Sequence, residues 1–418
     1  LALAVIMAAA GCGRPSGGPV EITYWTGWSS NELDSQQSLI DQFNHEHPNI
    51  RVRLVGQYGN SGYQKVRIAF AGNATPDVMS TVWADELASY AQRDVLEPLD
   101  AYMRASGRDL DKEYVPSLRS TLRVDGKVYA LAVTTNSQFI VYNRDLLDAA
   151  RQVPPKTANE LRDVSRACTV IRPDGGFVRY GYLPSELRTW AYVFGGEWFD
   201  AKTNRVTANN PRNVEALRWM ASFSQFIDPM RAQSFQAGFG SDYSASGPFF
   251  VGKYAMWQTG EWASKFLQQY APDIRYGFFP LPGPKAGAPP SSYVNGSVFV
   301  IPKACPHKAE AWEFLNWITQ PEQVRRFCAK IHNVPPLMSL GSAPEFQQPP
   351  LTKFAIAVSR SKEAYGPPGI AIWPEYSAEI TRAEDAAIRG GQDPKTVLDD
   401  LQQRMQQTYE ESQQELGR

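Results

Sequence analysis

The hydrophobic period of this chain switches between two and about 3.6, and that alternation restricts its fold more than any other feature. Val20-Glu21-Ile22-Thr23-Tyr24-Trp25 alternates as a half-buried strand does. Leu33, Ile40 and Phe43 then recur at helical spacing. Ser29 and Glu32 have the spacing of a capping box, and Pro48 stops the run. Arg51-Val52-Arg53-Leu54-Val55 reads as a second strand. Strand, helix and strand in that order build a parallel sheet with helices on its faces, so the fold class is α/β.

The alternation continues to the end of the chain. Asp77-Val78-Met79 reads as a short strand, and 129–133 and 138–142 as strands separated by the polar Thr134-Thr135-Asn136. Thr157 and Glu160 cap one helix. Asn210 and Pro211 open another, with Val214, Leu217, Met220 and Phe223 on one face. Residues 298–301 form a strand, and 307–318, 321–329 and 374–389 form helices, the last ended by Gly390-Gly391. Asp393-Pro394 starts the final helix, and the polar last dozen residues are expected to fray. Segments 134–137, 293–297 and 335–340 lie between element-rich blocks. That suits a chain that leaves one lobe, builds a second and returns.

Hydrophobic residues make up 43% and charged residues 20% of the 418, so the chain can bury full cores. A net charge of −1 gives nucleic acid no concentrated basic surface. The run 1–10 is apolar but too short to span a bilayer, and it reads as the tail of a secretory signal. Ala9-Ala10-Gly11-Cys12 resembles a bacterial lipobox, with Ala9 where Leu is usual. The segment 1–12 is then a signal remnant, and lipidated Cys12 anchors an exported protein to a membrane. An ordinary cleaved signal with a bystander cysteine is the alternative. Residues 13–19, rich in Gly, Pro and Ser, form a tether that reaches roughly 15 Å. An exported chain permits a disulfide between Cys305 and Cys328, which flank one helix. Three buried thiols, Cys168 included, are the other reading. No CxxC pattern supports a metal site.

Eleven Trp, nineteen Tyr and twenty Phe are present, and several Trp sit beside Gly, Asn or charged residues. Flat aromatic faces flanked by hydrogen-bonding groups suit sugar rings, which are apolar on their faces and hydroxylated at their edges. Gly247 to Lys253 fits G-x4-G-K, but Tyr254 follows where a P-loop needs Ser or Thr. His45 and His47 are two apart and share no helical face. No Gly-x-Ser-x-Gly elbow is present.

The segment Phe250-Val251-Gly252-Lys253-Tyr254-Ala255-Met256-Trp257-Gln258-Thr259-Gly260-Glu261-Trp262 resembles the F-x-G-K-x-A-M-x-x-x-G-x-W stretch of family 1 extracellular solute-binding proteins. These include the maltose- and glycerol-phosphate-type receptors of ABC importers. Pro76-Asp77-Val78 with Trp83, Leu87-Ala88 and Pro98-Leu99-Asp100 is similar to a second block of that family. Val141-Tyr142-Asn143-Arg144-Asp145-Leu146 is similar to a third, and Tyr293-Val294-Asn295-Gly296 through Phe314-Leu315 to a fourth. The resemblance implies a periplasmic-binding-protein type II-like fold, two α/β lobes with a hinge and an interlobe ligand cleft. The lobes would be 20–134 with 294–336, and 137–292 with 340–418. It implies a monomeric receptor for a carbohydrate, read in its closed form by the transmembrane subunits of an ABC permease, with no catalytic residue and no cofactor. A ligand shifts an open–closed balance only by its differential affinity, so residues from both lobes must touch it.

The matching Trp of maltose-type members stacks on sugar, which makes Trp262 the leading contact. Glu261 is either a hydroxyl acceptor or a first-turn acid on the helix dipole. Trp25 and Trp28 follow the first strand, and Trp83 and Asp85 the Asp77 strand, where ligands bind in open α/β sheets. One of the first pair is expected to be packing, and Asp85 has an N-cap as its alternative. Asn136 and Asn295 lie at the proposed crossings. Trp190 and Gly196 belong to an aromatic, Gly-rich loop, and Trp373 precedes a C-terminal helix. Two rivals remain. An exported glycoside hydrolase or lyase needs two carboxylates across a cleft, for which Asp85 and Glu261 are the available pair. A ligand-binding partner of a membrane sensor would share the receptor's sequence.

Overall fold

The computed structural model describes residues 18–57, 59–348 and 350–417. The opening unit forms as read, with β1 (Val20–Thr26), α1 (Ser30–Glu46) and β2 (Ile50–Gly56), followed by α2 (Gly59–Ala71) and β3 (Val78–Trp83). β1 lies between β2 and β3, parallel to both. Its inward residues Ile22 and Tyr24 are sealed from solvent, and the Tyr24 hydroxyl donates to Gln36 Oε1 at 2.9 Å, so the buried polar atom is satisfied. β4 (Leu131–Ala132) precedes the first crossing and β5 (Gln138–Asn143) follows it. Then come α3 (Ala158–Cys168), α4 (Leu187–Val193), α5 (Pro211–Ala221), β6 (Met256–Gly260), α6 (Ala263–Tyr270) and β7 (Tyr276–Pro280). The chain returns through β8 (Ser297–Val300), α7 (Lys308–Ile318) and α8 (Pro321–Ile331). It ends with α9 (Pro350–Ser359), α10 (Trp373–Ile388) and α11 (Pro394–Glu415).

Two sheets organise two α/β lobes. The first has the order β2-β1-β3-β8-β4, with β8 antiparallel to both neighbours, and the second is the antiparallel β6-β5-β7. β5 shows why the second sheet is buried on both faces. Phe139 and Val141 enter one hydrophobic cluster, while Ile140 and Tyr142 enter the other. Successive side chains of a strand point to opposite faces, so a continuous apolar run serves two cores. Between the lobes the crossings lie side by side. Asn136 N donates to Asn295 O at 3.0 Å, and Thr135 N to Val334 O at 3.0 Å.

Several expectations need correction. Ser29 caps α1 without a side-chain hydrogen bond; only the Glu32 half of the box forms, through the Ser29 amide. The strand expected over 129–133 is confined to Leu131–Ala132, which pair with Phe299 and Val298 of β8, and Val133 N donates to Ser297 O at 2.9 Å just beyond it. β3 runs on to Trp83, held on both sides by β1 and β8. The last helix continues to Glu415, anchored by Leu398, Leu401, Met405 and Tyr409 in the second core. Cys305 and Cys328 are separate buried thiols, not a disulfide. The Cys305 thiol donates to Asp77 Oδ1 and the Cys328 thiol to Val133 O, each at 3.3 Å. Cys12 lies outside the described residues. Among those described, no helix is long and apolar enough to cross a membrane.

Candidate ligand-binding cleft

The ends of the first lobe's strands and the helix starts of the second face each other across a cavity of about 640 Å³. Trp83 closes β3, and Asp85 and Glu86 follow in the next turn, so all three reach the cavity from the carboxyl end of a strand. Gln64 and Arg67, one turn apart on α2, join them. The crossings contribute Asn136, Tyr293 and Asn295. The second lobe supplies Gln138 at the start of β5, Glu186 and Arg188 at the start of α4, Trp262 after β6, and Trp373, Pro374 and Ser377 from the first turn of α10.

The polar groups are held in place by one another. Gln138 Nε2 donates to Glu186 Oε2, and Gln258 Nε2 to Gln138 Oε1, each at 2.6 Å. Gln258 Oε1 in turn accepts from Tyr182 Oη at 2.7 Å and Trp190 Nε1 at 3.1 Å. The chain of bonds runs from the second core to a cleft carboxylate. Glu186 adopts φ 66°, a left-handed conformation that costs a side-chain-bearing residue free energy and concentrates at functional sites. The half-buried Glu384 carboxylate fixes the turn by accepting from Leu187 N at 2.7 Å, and desolvation pushes its own acid up to about 7. Arg188 donates to Ser377 Oγ at 2.6 Å and lies over the Tyr293 ring at 5.7 Å. Tyr293 donates to Asp85 Oδ2 at 3.3 Å and stacks on Tyr192, which stacks on Tyr365. Burial, reinforced by the Asp85 charge, raises Glu86 to about 7.

Gly260 explains the spacing of the G-x-W motif. A Cβ there would lie 2.1 Å from Trp262 Cζ3 and 2.4 Å from Cη2, so the indole rests on a surface that only glycine provides.

The cavity brings together six of the residues proposed from sequence: Trp83, Asp85, Asn136, Trp262, Asn295 and Trp373. Five others lie elsewhere. Trp25 packs partly buried against the first core, and Trp28, 9% exposed, meets Phe327 edge-on at 5.2 Å. Trp190 is fully buried against Trp219. Gly196 lines a separate groove, and a Cβ there would strike Asn213 Oδ1 at 2.0 Å, so close packing accounts for this glycine. Glu261 is sealed inside the hinge region, so the pair Asp85 and Glu261 does not assemble in the cavity; the carboxylates that line it are Asp85, Glu86 and Glu186. The residues missed from sequence are chiefly Arg67, Glu86, Gln138, Glu186, Arg188 and Tyr293. The crossing argument that picked Asn295 applies equally to Tyr293, two residues away. Nothing local marks Glu186, whose position depends on Gln138 and Glu384. Among the described residues no cluster of three or more His, Cys, Asp or Glu is arranged to hold a metal.

Comparison with known proteins agrees with this architecture. The pattern of the family described as bacterial extracellular solute-binding protein matches residues 28–325. The maltotriose-binding protein of Pyrococcus abyssi (strain GE5 / Orsay) is 25% identical over 340 residues, covering 80% of this chain and 70% of that protein. The solved structure of CpMnBP1 with mannobiose bound is similar at TM-score 0.81 and 26% identity, over 92% of this chain and 98% of that one. The sugar-binding protein MalE from Xanthomonas citri shares the fold at TM-score 0.78 and 23% identity, over 96% and 100% of the respective chains. Two lobes, hydrogen-bonded crossings, an interlobe cavity and a family match over most of the length lead to one assignment: the chain belongs to the bacterial extracellular solute-binding protein family.

Proposed function

We propose that this protein is the exported receptor of an ABC importer and that its cleft closes on a neutral sugar or short oligosaccharide. The observation that carries this reading is the cavity wall. Trp83 and Trp262 offer partly exposed aromatic faces, with the almost fully buried Tyr293 and Trp373 at the edge of the wall, while Asp85, Gln138 and Glu186 offer fixed hydrogen-bonding groups from both sides. Arg188 is already engaged by Ser377 and Tyr293, which favours a neutral ligand over a strongly anionic one. The binding of maltotriose and mannobiose by similar proteins points the same way. On this reading the lobes are 20–134 with 294–336 and 137–292 with 340–418, Cys12 carries the lipid anchor, and the receptor acts as a monomer without catalysis. Micromolar affinity requires about −8 kcal/mol, within reach of stacked rings and a set of preformed hydrogen bonds.

Thermal unfolding with mannobiose, maltotriose and a wider panel of neutral carbohydrates tests the proposal. A ligand at 100 times its Kd adds about 2.7 kcal/mol to the native state, so at least one sugar is expected to raise the midpoint clearly. A flat panel, or release of product from a glycan by the purified protein, would overturn it. The stacking role has its own test. Gly260→Ala forces the Trp262 ring off its seat, so sugar affinity should fall about tenfold and stability by about 1–3 kcal/mol. Calorimetric titration and urea unfolding measure the two effects, and unchanged affinity would detach the indole from the ligand.

A further inference from the structure

Closure needs a connection between the sugar and the hinge, and the residue before Trp262 is placed to provide it. Glu261 lies between β6 and α6, both in the second sheet's lobe, yet its carboxylate turns into the crossings and is 0% exposed. Its Oε2 accepts from Ser137 N at 3.4 Å, and the Val334 amide bonds to the same carboxylate. Ser137 belongs to the first crossing and Val334 to the third, and these two segments are tied together through Thr135 N and Val334 O. Glu261 Oε1 has no partner. From α8 the group facing it is the Cys328 thiol, which burial holds far above its ordinary value. From α9 the Ala355 carbonyl accepts from Ser137 Oγ. Thr135, Asn136 and Asn333 bring no charge. His332, bonded to Ser264 Oγ at 3.2 Å, and Lys265 lie toward the following turn.

We propose that Glu261 is a positioning residue for closure, seated in the hinge and one peptide bond from Trp262, so that it links the sugar-stacking ring to the crossings and makes the open–closed balance respond to pH. The inference rests on the closing cleft described above. Rotation about the crossings changes how the Ser137 and Val334 amides meet the carboxylate. Two states that hydrogen-bond a carboxylate differently bind its proton differently, and linkage then makes their ratio depend on pH. Burial pushes the acid up to about 8 in this state. With the folded value above the unfolded one, its stabilising contribution is complete below about 4.5 and is lost as pH rises toward about 8.

Small-angle scattering at pH 6 and pH 9 tests this on the wild type, Glu261→Gln and Glu86→Gln, without sugar and with mannobiose or maltotriose. Without sugar, the radius of gyration should differ between the two pH values in the wild type, and Glu261→Gln should lose the part of that difference which persists in Glu86→Gln, where the cleft acid that titrates in the same range is gone. The ratio of wild-type to Glu261→Gln affinity for whichever of the two sugars binds should move about threefold or more, the equivalent of half a pKa unit. An unchanging wild-type curve overturns the proposal whether or not the variant folds. An equal pH response in Glu261→Gln also overturns it. A response that shrinks in Glu261→Gln while neither sugar binds supports the hinge role and counts against the sugar reading.

Discussion

Replacing Trp262 by alanine is expected to weaken binding of the sugar that fits the cleft by roughly 30-fold to 1,000-fold, or about 2–4 kcal/mol. The ring is only partly buried, rests on Gly260 and borders the cavity beside the hinge residues Asn136, Tyr293 and Asn295. Truncation removes the stacking face and leaves the sugar's apolar side against water. The fold should lose little, because the contact with Tyr243 is loose, with ring centroids 6.5 Å apart. Trp262→Phe should recover part of the affinity, since a smaller aromatic keeps a π-face at that position. Titration calorimetry on both variants, paired with urea unfolding, separates binding from stability. An unchanged Kd for the alanine variant would remove Trp262 from the site.

Trp190→Ala should have the opposite profile, with a stability loss of about 3–5 kcal/mol. The indole is fully buried, packs on Trp219 at 4.4 Å between centroids, and donates to Gln258. Its removal opens a large cavity and takes one of two donors from Gln258 Oε1. Since Gln258 orients Gln138, and Gln138 orients Glu186, some sugar affinity should be lost as well. Trp190→Phe keeps an aromatic ring but loses the N–H and part of the indole volume, so an intermediate cost of about 1–3 kcal/mol is expected. Guanidinium unfolding measures both variants. A loss below about 1 kcal/mol for the alanine variant would place Trp190 outside the core.

These two tryptophans show how far the sequence could be read. Both sit near glycines and charged residues, and both were candidates for the sugar. Residue type and neighbours made them equivalent, yet one borders the cleft and the other lies behind its wall. Glu261 and Asp85 repeat the lesson. As acids near strand ends they looked alike, but Asp85 faces the cavity and Glu261 faces the crossings. Gln138 was legible as the first residue of a strand and illegible as the partner that holds Glu186, because that bond joins residues 48 positions apart.

The amino-acid sequence alone determined the alternation of strands and helices, the caps at Thr157, Asn210 and Asp393, and the family. Each of these depends on side-chain periodicity, on hydrogen bonds within a few residues, or on motifs of short span. Tertiary structure alone decided which aromatics face the ligand space, that Cys305 and Cys328 remain thiols, and that Glu261 enters the hinge. Those outcomes depend on burial and on bonds between distant segments, and neither exists until both lobes have packed.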